Sequence, residues 1–239
     1  MSFTPIYIDA YDCLTPAGHG VGTMLEKLFS GQTALANQSP FAHGSLPLSL
    51  KEQIHSLRLE KTLRDQDETT LMGVRLARSL SGALESKDRR YTGLIIGSSR
   101  GPTQSLEKSF EDFNEGKRLK GATSPTTTAS GISSAIARDL SIEGPSLFLS
   151  AACSTGLYAV IQGIGSLKAG LCDAMIVGGV EAANTPFTFA MLDAARVLNS
   201  NVGEVYPCRP GAEDRRGMVL SEGAALLLLS ANQTLQSRS

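Results

Sequence analysis

Five short apolar runs limit what this chain can fold into. "PIYIDAYDCLT", "YTGLIIG", "SLFLS", "CDAMIVGG" and "GMVLSEGAALLLLS" are each bounded by glycine, proline or serine, and the last is long enough for a strand or a hairpin. Between them lie stretches with helical spacing. "VGTMLEKLFSG" reads as a short helix closed by Gly31, and residues 154–170 read as a helix of small residues. In "RDQDETTLMGVRLARSLSGAL", Leu71, Val74, Leu76, Leu80 and Leu84 follow Asp65, Asp67 and Glu68, acids suited to a helix N-terminus, and form a helix expected to cover a sheet. Strands interleaved with helices define an α/β class. "TSPTTTASGISSAIARDLSI" reads as a loop feeding a helix, residues 32–59 as an irregular surface excursion without a domain boundary, and the region of Phe187, Phe189 and Leu192 as a loop.

With 239 residues and 41% hydrophobic content, the chain can bury a core. Lys and Arg total 22 against 23 Asp and Glu, with no long block of either sign, so neither nucleic acid nor a membrane surface is indicated as a partner. "MSFTPIYIDAYDCLTP" lacks the charged start and apolar core of a signal peptide, and no run approaches the ~20 apolar residues of a membrane span; a cytoplasmic location is expected. Cys13, Cys153, Cys172 and Cys208 show no C-x-x-C or Cys/His spacing, which points to reduced thiols and to no metal site. "GLIIGSSRGP" lacks both the dinucleotide and the P-loop glycine patterns, and no cofactor is expected.

Candidate chemistry gathers around "SAACSTG". If a strand ends at Ser150 and a helix starts near Cys153, the sulfur lies beside unpaired N–H groups that favour a thiolate, and Ala151, Ala152, Ser154, Thr155 and Gly156 let a substrate approach. Spacing alone favours a buried thiol at Cys153, the reading preferred also for Cys13, Cys172 and Cys208. The strand-end loop Ser98–Ser99–Arg100–Gly101 is a second candidate position. Glu181 and Glu222, each beside glycine at a strand end, could form an acid–base pair. His19, His43 and His55 read as solvated or loop histidines.

"GPSLFLSAACSTGLYAVIQGIGSLKAGLCDAMIVGGVEAANTP", followed by "LDAARVLN", "CRP" and "DRRGMVLSEGAALLLLS", closely resembles the β-ketoacyl synthases of fatty-acid and polyketide synthesis. The resemblance implies a thiolase-like half, a five-stranded mixed sheet with helices on both faces, with residues 1–239 forming the N-terminal domain. It implies Cys153 as the nucleophile that takes an acyl group from an acyl carrier protein or coenzyme A, in an acyltransferase of the ketosynthase type. The family's two catalytic histidines, lysine and Phe loop belong to a C-terminal half that this sequence does not contain, so condensation by this chain alone is not expected. Glu181 and Glu222 become structural.

The resemblance further implies that Phe187, Phe189 and Leu192 border the acyl pocket, against a plain core reading for the two phenylalanines. It places Thr126 and Thr127, with Thr128, in a loop that reaches a partner's pocket, against simple capping of the next helix. Lys61 and Arg64 stand where a carrier protein would be met, against a solvated charged face. The implied partners are an acyl carrier protein and a second ketosynthase-like chain, as homodimer or heterodimer, paired through "SLFLS". The final "SANQTLQSRS" lacks the family's linker into a second half, which fits a truncated, a split or a catalytically silent protein. A non-catalytic assembly or chain-length-factor-like subunit is the competing reading, although such relatives carry another residue at the cysteine position. A thiolase proper is disfavoured by "CRP" and "GMVLSEGAALLLL".

Overall fold

A computed structural model describes residues 5–36, 41–85, 87–199 and 203–231; the tail 232–239 and the first four residues lie outside it. The N-terminal elements are strands β1 (Tyr7–Thr15) and β2 (Gly18–His19), helix α1 (Val21–Phe29), strand β3 (His43–Gly44) and helices α2 (Leu48–Ser56), α3 (Glu68–Ser79) and α4 (Ser81–Leu84). Next come β4 (Thr92–Gly97), α5 (Thr103–Asn114), α6 (Thr123–Thr127), α7 (Gly131–Asp139), β5 (Ser146–Leu149) and α8 (Thr155–Lys168). The chain continues through β6 (Ala174–Glu181), α9 (Pro186–Ala194), β7 (Leu220–Ser221) and β8 (Gly223–Ser230).

The five expected strands form one mixed sheet in the order β1-β8-β6-β4-β5, to which the two-residue β2 adds a sixth at the edge of β1. β4 pairs in parallel with β5 and β6, while β8 runs antiparallel to β6 and β1. Helices cover both faces of the centre, which is why the apolar run of β4 is buried throughout instead of alternating. On one face α3 and α7 pack Leu71, Val74, Leu76, Ile132 and Ile136 against Leu94, Ile96, Ile176, Leu226 and Leu228. On the other, α8 meets Ile95, Met175, Val177 and Leu229.

The acids read as a helix start do more than expected. Asp67 caps α3 by accepting the Thr69 N–H at 2.8 Å, and its second oxygen accepts the Ser105 N–H in the first turn of α5, also at 2.8 Å. One buried carboxylate thus satisfies orphan donors of two helices. At the other end of α3, Arg78 pairs with Asp139 of α7 at 2.6 Å and with Glu60 at 2.7 Å.

Four expectations change. Residues 32–59 are not wholly irregular: α2 and a 3₁₀ turn at Leu57–Leu59 bury Leu50, Ile54 and Leu57, a helical spacing masked by neighbouring prolines and serines. Residues 186–194 form α9, started by a Thr185 cap whose hydroxyl accepts the Thr188 N–H at 3.1 Å and by proline in the first turn. Thr126 and Thr127 lie in the short helix α6 instead of a loop. Cys13 and Cys172 are buried as expected, and burial pushes the Cys172 thiol up to about 11 and raises that of Cys13; Cys208 is exposed, against the burial expected of it.

Asp67→Ala leaves two helix N–H groups without acceptors, and the expected loss, read by denaturant unfolding, is about 2–3 kcal/mol. Asp12 supplies a pH test. Burial works against its charge, but hydrogen bonds from Ser79, His19 and the Cys13 N–H hold its carboxyl below the usual value. Its contribution is present above the unfolded carboxylate range and is lost as pH falls through the lowered value, so Asp12→Asn flattens the acid limb of a stability–pH curve.

Candidate functional site

The chain leaves β5 at Leu149 and enters α8 at Thr155 through a turn made of Ser150–Ser154. The helix begins one residue later than the 154–170 read from the sequence, with Ser154 at its cap position. Ala152 adopts φ 49°, a left-handed conformation that costs a non-glycine residue roughly 1–2 kcal/mol. The turn is closed from inside: Thr155 Oγ1 accepts the Ala151 N–H at 2.7 Å and donates to the Ala152 carbonyl at 2.6 Å, and Ser154 Oγ donates to the Ala151 carbonyl at 2.9 Å. Cys153 stands exposed at the crest of this strained turn.

The turn is held against the sheet by missing side chains. A Cβ on Gly97, at the end of β4, would overlap the Thr155 side chain, and a Cβ on Gly179 of β6 would press on the Gly156 backbone at 3.3 Å. Helix and strand ends therefore approach at backbone distance. The result is a cavity of about 250 Å³ lined by Gly97, Ser98, Ser99, Cys153, Glu181 and Gly223, among others.

Its opposite wall, the strand-end loop after β4, is fixed by Glu181. Glu181 Oε2 accepts from the Ser99 N–H at 2.7 Å, Ser99 Oγ at 2.6 Å and the Arg100 N–H at 3.3 Å, while Oε1 accepts from Ser98 Oγ at 3.1 Å. With both oxygens engaged, Glu181 is a clamp and not a free base. Glu222 is likewise occupied, by the Leu46 N–H at 2.9 Å and Lys51 Nζ at 2.8 Å, which is the structural role the family resemblance implied for both acids. Sequence reading found Glu181 but not its grip on Ser98–Arg100; the two serines after a buried strand were the available signal.

The other candidates are not brought into this cavity. Thr126 and Thr127 donate back to the Ala122 and Thr123 carbonyls at 2.8 Å each, so neither caps α7, whose cap position is Ser130. Phe189 stacks on Phe41 with ring centroids 5.9 Å apart, Leu192 is half-buried, and Phe187 projects from α9. Lys61 and Arg64 are exposed ahead of α3. Near them a polar groove of about 420 Å³ is lined by Arg58, Lys108, Lys117, Arg118, Lys120 and Thr126, with Asp65, Glu68 and Asp112 among its acids. Its basic rim was legible as "GKRLKG" but was not singled out. His19 bonds Asp12 at 2.6 Å and His55 bonds Glu68 at 2.7 Å, and none of the three histidines lines the Cys153 cavity. Among the described residues no three His, Cys, Asp or Glu side chains group as metal ligands, and no helix is long and apolar enough to cross a membrane.

The family model for the β-ketoacyl synthase N-terminal domain matches residues 68–234. The 3-oxoacyl-[acyl-carrier-protein] synthase 2 of Vibrio cholerae is 26% identical over 252 residues, covering 100% of this chain and 60% of that protein. Its namesake in Staphylococcus aureus is 25% identical, covering 98% and 59%. Among solved structures, a β-ketoacyl synthase from Burkholderia phymatum superposes with a TM-score of 0.81 at 18% identity, covering 95% of this chain and 59% of that one. A ketosynthase in complex with its chain length factor, from Xenorhabdus doucetiae, gives 0.72 at 23%, covering 98% and 61%. The chain thus spans about 60% of the length of the curated relatives it matches.

Gly97→Ala drives a methyl group into Thr155, so the Cys153 turn must move. The expected cost is about 1–3 kcal/mol, with a changed alkylation rate at Cys153 and an unchanged one at Cys208, read by iodoacetamide labelling and peptide mass.

Proposed function

Since the chain belongs to the β-ketoacyl synthase family, as the match over residues 68–234 establishes, we propose that it is the acyl-accepting half of a ketosynthase in fatty-acid or polyketide synthesis. One observation carries this reading: Cys153 is exposed on a strained turn at the mouth of a cavity, where the other strand-end thiol, Cys172, is buried. Strained backbone is kept where surrounding contacts over-determine it, and a nucleophile turn is one such place.

In the proposed step the Cys153 thiolate attacks a thioester carbonyl. The new C–S bond forms as the bond to the carrier sulfur breaks, and the carrier leaves as a thiolate that takes up from solvent the proton Cys153 released on ionising. Phe187, Phe189 and Leu192 on α9 supply apolar surface for the acyl chain. Lys61 and Arg64, with the basic rim of the neighbouring groove, steer an acidic acyl carrier protein towards the site. Condensation needs oxyanion and acid–base groups besides these residues. Their loss costs about 10²–10³ and 10²–10⁴ in rate respectively, so condensation requires groups from elsewhere.

The packing of α8 supports a protein partner. Its buried stripe is Thr155, Ala159, Gly163 and Leu167, mostly small residues, whereas Leu157, Tyr158 and Ile161 remain 64%, 46% and 49% exposed. A helix that turns its larger apolar side chains outward is covered by something further, and the open edge of β5 offers a second contact. This favours a ketosynthase-like chain as partner, and it equally suits the second reading, a non-catalytic chain-length-factor-like subunit.

Acylation distinguishes the two. Incubated with an acyl carrier protein thioester, the protein is expected to gain one acyl mass that Cys153→Ala abolishes. No adduct on Cys153, with or without a ketosynthase partner present, overturns the acyl-accepting reading in favour of the subunit.

A further inference from the structure

We propose that Arg100 is a specificity-determining residue that selects acyl thioesters whose chain bears a carboxylate, a reading that rests on Cys153 accepting the acyl group. Arg100 follows Ser98 and Ser99, which line the Cys153 cavity, and its position is fixed on both sides. Its N–H donates to Glu181, the Gly101 N–H donates to Ser98 Oγ at 2.8 Å, and its carbonyl accepts Thr103 Oγ1 at 3.1 Å. From this rigid loop the side chain crosses to α9, where Nη1 lies 3.9 Å from Met191 Sδ. A thioether is a weak, neutral acceptor. No carboxylate of the described residues makes an ion pair with this guanidinium, unlike Arg78 or Arg90, whose forks are filled by Glu60, Asp139 and Asp88.

The surroundings make the unfilled fork consequential. Among the described residues the only charged group lining the Cys153 cavity is Glu181, and both its oxygens are engaged by the loop. Along α9 Met191 is accompanied by the apolar Phe187, Phe189 and Leu192, and the one carboxylate of the helix, Asp193, makes no ion pair with Arg100. In the proposed arrangement an acyl chain extended from Cys153 past Ser98 and Ser99 towards α9 meets the Arg100 guanidinium, whose fork no carboxylate of the described residues fills. A planar guanidinium on a fixed loop binds a carboxylate through two parallel N–H···O bonds, which a methyl terminus cannot accept. The chemical step is unchanged: the thioester carbon moves from the leaving thiol to Cys153, and the distal carboxylate only orients it.

The test is an internal competition, so that partial misfolding of a variant cancels. The full chain is offered equal amounts of adipoyl and hexanoyl thioesters of N-acetylcysteamine, and the two Cys153 adducts are counted by intact mass. Wild type is expected to favour adipoyl by about ten-fold, Arg100→Gln to lower the ratio by about ten-fold, and Arg100→Lys to fall between, keeping charge but not the fork. An equal ratio in wild type and Arg100→Gln, or a wild-type preference for hexanoyl, overturns the proposal while leaving acyl acceptance intact. No adduct from either probe overturns the acyl-accepting reading, and this proposal with it.

Discussion

The contact on which the site depends is the approach of the α8 N-terminus to the ends of β4 and β6. It is made by what is absent: Gly97 leaves room for Thr155, Gly179 for the Gly156 backbone, and about two turns further on Gly163 for Val177. At ordinary helix-on-sheet separation the turn before α8 would ride higher. The Thr155 hydroxyl could not then be buried while serving both the Ala151 N–H and the Ala152 carbonyl, and Ala152 would have no reason to stay left-handed. The strain at Ala152 is thus balanced by close packing beneath it, which is how a strained turn persists.

Two carboxylates organise the rest. Asp67 ties the starts of α3 and α5 together, and Glu181 ties the strand-end loop preceding α5 to β6. The loop between these anchors, Ser98–Gly101, therefore has little freedom, and both the Cys153 cavity and Arg100 inherit that rigidity. Thr69 Oγ1, which donates to the Gly101 carbonyl at 3.2 Å, links the two anchors directly. In each case a buried or partly buried acid is fully matched with donors, the condition under which a charge can be taken out of water.

Much of this was legible in sequence, and the gaps have physical reasons. The five strands were readable because buried runs such as "GLIIG" and "AMIVGG" are short, apolar and ended by glycine. The Cys153 turn was readable because a strand, small residues and a helix follow one another within a few positions. Helix α2 was missed because its buried positions, Leu50 and Ile54, and Leu57 in the turn after it, sit in a stretch whose prolines and serines speak for loop; tertiary packing outweighed local composition. Helix α9 was missed although Thr185–Pro186 is a start signal, because its apolar residues lie all round it instead of on one stripe. The partners of Glu181 lie 81–83 positions away in sequence, a pairing that no local pattern carries.

The two faces of the sheet are finished to different degrees, and Cys153 lies on the less finished one. On the α3 and α7 side, large aliphatic residues such as Leu71, Leu76 and Ile136 are buried completely, and polar clamps hold the helix ends. On the α8 side the buried stripe of the helix is built from small residues, while Leu157, Tyr158 and Ile161 face outward. Burial of apolar area is what stabilises a helix on a sheet, so α8 gains less from this chain than α3 does. Coverage of Leu157, Tyr158 and Ile161 would add its stabilisation to the element that holds Ser154 and Thr155, and so to the turn that presents Cys153. In this architecture the rigidity of the thiol and the covering of α8 are one property, because the same helix supplies both.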